Sequence, residues 1–89
     1  MSSGSGKEKP EHDPGVALGA AIRTLREQAG LTQATLAERA GVPPPSISAV
    51  EAARHEPTWG DLRRIAYGLE VPLERLLELV EELEGPDGG

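Results

Sequence analysis

"LTQATLAERAGVPPPSISAVE", residues 31–51, is the stretch on which the fold of this chain turns. Thr32 stands before a run in which Leu36, Ala37 and Ala40 recur on one helical face. A threonine in that place accepts a hydrogen bond from the free N–H groups of a first helical turn. Gly41 follows at once, and glycine is the residue that leaves a helix most cheaply through positive φ. Ile47 and Val50 then mark another short helix, beginning near Pro43, Pro44 and Pro45. Leu36, Ala40, Val42, Ile47 and Val50 form an apolar wedge between the two, and Ala37 is small where the second helix crosses closely. The expectation is a pair of helices locked at a steep angle by a glycine turn.

Outward from this pair the helical spacing appears three more times. Leu18, Ile22, Leu25 and Ala29 make a first helix stopped by Gly30. "PTWGDLRRIAYGLE", residues 57–70, opens with Thr58 as a cap and Asp61 three residues on, and its inner face is Leu62, Ile65, Ala66 and Leu69. A fifth pattern runs from Leu73 through Leu76, Leu77 and Val80 to Leu83, with Leu79 off the stripe. Each helix is too short to stand alone in water, and the connections are short, so the five must hold one another. With no Phe, a single Trp and a single Tyr among 89 residues, the core must come from Leu, Ile, Val and Ala. The expected class is all-α, a compact five-helix domain over residues 16–84, between disordered tails at 1–15 and 85–89.

Composition also excludes function classes. There is no Cys, so neither a disulfide framework nor a thiolate zinc site is expected. His12 and His55 have no partners at ligand spacing, and no metal or cofactor is expected. No nucleophile–base pair or phosphate loop points to an enzyme. No apolar run approaches the roughly 20 residues of a membrane span, and a cytoplasmic location is the default. The net charge of −6 is unevenly spread. Six Arg and six acids cancel over residues 16–71, while residues 72–89 carry Arg75 against five Glu and Asp87. A distant acidic helix only weakly opposes binding elsewhere, since charges are screened over about 8 Å at physiological salt.

The helix pair has the form of a helix-turn-helix, which presents its second helix to the major groove of DNA. Residues 18–77 resemble the lambda-repressor-like (phage repressor/Cro, XRE-type) helix-turn-helix family without a gap. The "LTQ-x-x-LAE-x-AGV" signature and the "I-x-x-V-E" and "P-T" landmarks carry the likeness. The resemblance implies a sequence-selective transcriptional regulator that binds double-stranded DNA as a dimer. Gln33 falls where the family holds a DNA phosphate, and a recognition helix would run over about residues 44–52. Pro44, Pro45, Ser46, Ser48 and Ala49 stand at or near the positions of its base readers. Arg26 and Glu51 match a partly buried ion pair, while Arg54 and His55 fall where relatives touch the DNA backbone again. Arg23 and Arg39 read equally as backbone contacts and as solvated surface. Gly41 and Ala37 are structural.

The departures from the pattern concern the recognition helix. Pro43 replaces its usual Ser or Thr cap. A residue before proline is pushed away from helical ψ, so Pro44 is the expected cap and Pro45 the first helical residue. Proline and alanine side chains neither donate nor accept, which leaves hydrogen bonding to Ser46 and Ser48. The apolar positions remain able to touch a thymine methyl. A protein-interaction module that kept the fold and lost its readout is the alternative expectation. Elsewhere, Trp59 is expected to pack over a helix start, Tyr67 to sit at the core edge, and Arg63 and Arg64 to be ordinary surface. Gln33 is assigned little packing role. The helix from Leu73 to Leu83 is expected either to close the globule or to form a homodimer seam.

Overall fold

The computed structural model describes residues 14–85. These form five helices: α1 (Pro14–Gln28), α2 (Gln33–Ala40), α3 (Pro44–Glu51), α4 (Trp59–Leu69) and α5 (Leu73–Glu84). The tails expected from composition otherwise lie outside the described residues, but Pro14 and Gly15 belong to the first turn of α1. Gly85 follows α5 directly as its cap. None of the described helices is long and apolar enough to cross a membrane.

Capping fixes where the helices begin. Thr32 Oγ1 accepts from the Thr35 N–H at 3.0 Å, and Thr58 Oγ1 accepts from the Asp61 N–H at 3.0 Å, as the sequence leads one to expect. The ends follow one rule from α1 to α4. In each, a residue with positive φ lets the next N–H reach back over the last turn. Leu31 N–H bonds to the Arg26 carbonyl at 3.0 Å, Val42 to Ala37 at 3.0 Å, Arg54 to Ala49 at 2.8 Å and Val71 to Ala66 at 3.1 Å. Gly30 and Gly41 supply the positive φ in the first two, and Ala53 and Glu70 supply it in the others.

The core joins Ala21, Ile22 and Leu25 of α1 to Leu36, Ala37 and Ala40 of α2. Val42 after the turn, Ile47 and Val50 of α3, Ile65, Ala66 and Leu69 of α4, and Leu76 and Leu79 of α5 complete it. Helix α2 packs on α3 and α4, and α1 packs on α3 and α5. Two glycines allow these approaches. A Cβ on Gly19 would lie 2.5 Å from the Val50 carbonyl oxygen, and one on Gly68 would lie 3.1 Å from the Ala40 nitrogen. Glycine costs about 1 kcal/mol inside a helix relative to alanine, and here the return is backbone contact of α1 with the end of α3.

Four expectations about packing need correction. Ala29 lies beyond α1 and is exposed. In α5, Leu79 is buried and Leu77 is 36 % exposed. The covered arc centres on Leu76 between α1 and α4, so the residue three further on is covered and its immediate neighbour is not. Tyr67 is 78 % exposed, because it stands two residues from both Ile65 and Leu69, on the opposite side of α4. Trp59 is 59 % exposed at the first position of α4, so more of it faces solvent than is packed.

Candidate nucleic-acid interface

One carboxylate organises the helix pair. Glu51, in the last turn of α3, is 2 % exposed at its side chain. Its Oε2 accepts from Arg26 Nε at 2.7 Å, and its Oε1 accepts from a terminal guanidinium nitrogen of Arg26 at 3.1 Å. The same Oε1 accepts from Gln33 Nε2 at 2.9 Å. Arg26 spends its remaining terminal nitrogen on the Leu31 carbonyl at 2.8 Å. A carboxylate at a helix C-terminus opposes the macrodipole, and the guanidinium compensates for it here. Hydrogen bonding to Glu51 holds the Arg26 pKa above its ordinary value, with burial opposing. The ion pair expected between α1 and α3 is therefore present, and Gln33 is added to it from α2. Gln33 is half-buried and tied to α3, so the expectation of little packing role is corrected.

Gln33 nevertheless remains at the head of α2. Thr32 caps the Thr35 N–H, and the Leu36 N–H bonds to the Thr32 carbonyl at 3.0 Å. The N–H groups of Gln33 and Ala34 are the first-turn donors left over, aligned with the positive end of the helix dipole.

The start of α3 is built differently. Pro43 is the cap, with φ −64° and ψ 142°, and makes no side-chain capping bond. Pro44 and Pro45 are the first two helical residues, one position earlier than expected. The ψ restriction set by a following proline falls on both Pro43, which is extended, and Pro44, which is helical all the same. Pro44 and Pro45 lie where a missing N–H breaks no helical bond. The Ser46 N–H is used by the Pro43 carbonyl at 2.9 Å. Residues Pro43 to Ser46 at the start of α3 therefore offer no free backbone donor.

Outward-facing chemistry on α3 is correspondingly apolar. Pro43, Pro44 and Pro45 are exposed, Ser46, Ser48 and Ala49 are half-buried, and Ala52, just past the helix, is exposed. Pro45, Ala49 and Ala52 follow one another along one side, while Ile47 and Val50 are buried on the other. Arg54 and His55 are exposed in the loop that leaves α3, directly after Ala53 with φ 61°. Arg23 is exposed on α1. Arg39 is set apart from these: it reaches Glu70, the cap just past α4, at 3.4 Å, where both side chains are open to solvent, and borders a shallow depression with Tyr67 and Gly68. Arg64 likewise lies 3.6 Å from Asp61.

Sequence reasoning missed Gly19 and the bond from Gln33 to Glu51. The first had a signal, since a glycine inside a helical pattern implies close approach. The second had none, because nothing in residue spacing reports which way an amide points.

A family model described as "Helix-turn-helix domain" matches residues 17–79. No curated protein matches the chain. Among solved structures, the clp gene regulator ClgR from Corynebacterium glutamicum is similar at 29% identity, with a TM-score of 0.81 over 89% of this chain and 84% of that one. The wild-type restriction-modification controller protein C.Esp1396I is 26% identical, with a TM-score of 0.75 over 79% of this chain and 92% of that one. Another controller protein, C.AhdI from Aeromonas hydrophila, is 27% identical, with a TM-score of 0.68 over 70% of this chain and 94% of that one.

Proposed function

Because this chain belongs to the helix-turn-helix domain family, we propose that it is a sequence-selective DNA-binding transcriptional regulator that lays α3 in the major groove. The observation that carries the reading is the arrangement around Gly41. Its φ of 74° turns the chain between α2 and α3, the inner faces of both helices are buried, and the outer side of α3 stays open. Such a unit docks as a rigid body, with the head of α2 on the phosphates and the first turns of α3 against base edges.

Gln33 and the free N–H groups of Gln33 and Ala34 would hold one phosphate, as anions are held at helix starts. Gln33 Nε2 carries two hydrogens and gives one to Glu51, which leaves one for the DNA. Arg54 and His55 would meet the backbone on the far side of α3, and Arg23 is a further cation available to it. Arg39, engaged with Glu70, has the weakest claim. The cytoplasmic location expected from the sequence agrees with this role.

A homodimer on a two-fold operator completes the proposal. Its seam would lie on α5, where Leu77 is 36 % exposed and Leu83, near the helix end, 46 %.

The test is selection of bound duplexes from a random library, followed by titration of the best duplex at several salt concentrations. Binding should weaken linearly on logarithmic axes as salt rises, since phosphate contacts release counterions. Absence of salt-dependent binding to every duplex in the library would leave a protein-interaction module in its place.

A further inference from the structure

We infer that α3 reads the 5-methyl group of thymine, so that the duplexes this chain selects carry thymines under Pro44, Pro45 and Ala49. This rests on α3 entering the major groove, as proposed above, and names what it recognises there. The helix, PPSISAVE, has no Arg, Lys, Asn or Gln, the side chains that pair bidentately with guanine or adenine. Its backbone offers no substitute, because Pro43, Pro44 and Pro45 lack N–H groups and the Ser46 N–H is taken by the Pro43 carbonyl. What remains toward the groove is three exposed pyrrolidine rings and the Ala49 methyl, flanked by the Ser46 and Ser48 hydroxyls.

Two effects then favour the same base. Pressing an apolar surface on the polar edge of guanine or on the cytosine amino group strips water from those groups and returns no hydrogen bond. Thymine instead presents a methyl group in the groove, where cytosine carries only hydrogen. Burying that methyl gains free energy without any demand on direction. Ser48, one residue before Ala49, can serve a neighbouring acceptor such as thymine O4 or adenine N7.

The experiment takes the best duplex from the random library and replaces each thymine in turn by deoxyuridine, which keeps every base-pairing hydrogen bond and removes one methyl. At the positions under α3 each replacement should weaken binding about fourfold, the worth of one buried methyl-sized group. In Ala49→Gly the thymine-to-uracil affinity ratio at one of these positions should fall toward one. Both affinities are measured on the same variant, so any loss of helix stability cancels in the ratio. Salt-dependent binding that is equally tight to the duplex with every thymine replaced would overturn methyl readout and leave DNA binding standing. Failure to bind any natural-base duplex would overturn both.

Discussion

Glu51 is the residue at which α1, α2 and α3 meet, through Arg26 of α1 and Gln33 of α2. Removing one partner of a buried pair strands the other charge, which costs more than the pair itself is worth. Glu51→Ala is therefore expected to destabilise the fold by about 3–5 kcal/mol in chemical denaturation, and the double variant Arg26→Met, Glu51→Leu by much less. An arginine whose pKa is raised on folding contributes its stability at all pH values below its ordinary range and loses it only at higher pH, so the Arg26 side of the pair introduces no titration near neutrality. Ala53 is a second exception at this scale, an alanine at φ 61°. A left-handed conformation costs an L-residue about 1–2 kcal/mol, and glycine gives back about 0.5–1 kcal/mol of that through its freer unfolded chain. Ala53→Gly should raise the unfolding free energy by about 0.5–1 kcal/mol, read from the denaturation midpoint. The family landmarks and the Arg26–Glu51 pairing were legible in the sequence. The Gln33 amide was not, since its bond to Glu51 exists only once α3 has been set beside α2.

At the scale of elements, helix starts were easier to read than helix ends. Thr32 and Thr58 announce their helices because a hydroxyl before an apolar run has one useful bond to make. Gly30 and Gly41 announce ends for an equally local reason. Ala53 and Glu70 end α3 and α4 with the same backbone bonds and no local signal, because tertiary packing outweighs a penalty of about 1–2 kcal/mol. The phase of α5 was misjudged by one position for a similar reason: Leu77 and Leu79 are equally apolar, and only the placement of α1 and α4 decides which is covered. Helix α3 gives up a side-chain cap worth about 1 kcal/mol, which the stiffness of its prolines, about 0.4–1 kcal/mol each at compatible positions, offsets. The proline start is thus neutral to mildly stabilising, and its distinctive effect is on the surface it presents. Pro45→Glu separates the two roles. An acid in a first turn suits the helix dipole, so the melting temperature should be held within a few degrees, while charge repulsion by phosphate removes duplex binding. Retained binding in a folded Pro45→Glu protein would place the interface elsewhere.

For the whole molecule, the charge distribution should set the two proposed associations against each other as salt changes. Residues 16–71 are balanced, and the acidity lies on α5 and beyond. DNA binding should weaken with salt as counterions are released. Pairing of two α5 helices through Leu77 would bring together Glu74, Glu78 and Glu81 of both copies, so screening should strengthen it. Sedimentation equilibrium across a salt series is expected to show dimerisation tightening as salt rises, and Leu77→Lys, at a position 36 % exposed, should leave a folded monomer. Dimerisation that instead weakens with salt would exclude the α5 seam.

The most direct measurement is amide chemical-shift mapping of the labelled protein on titration with a duplex selected from the random library. The largest changes should fall on Gln33, Ala34, Ser46, Ser48, Ala49 and Arg54, with α5 perturbed only where two copies meet. Changes centred on Tyr67 and Glu70, or none outside α5, would contradict an α3 that reads DNA.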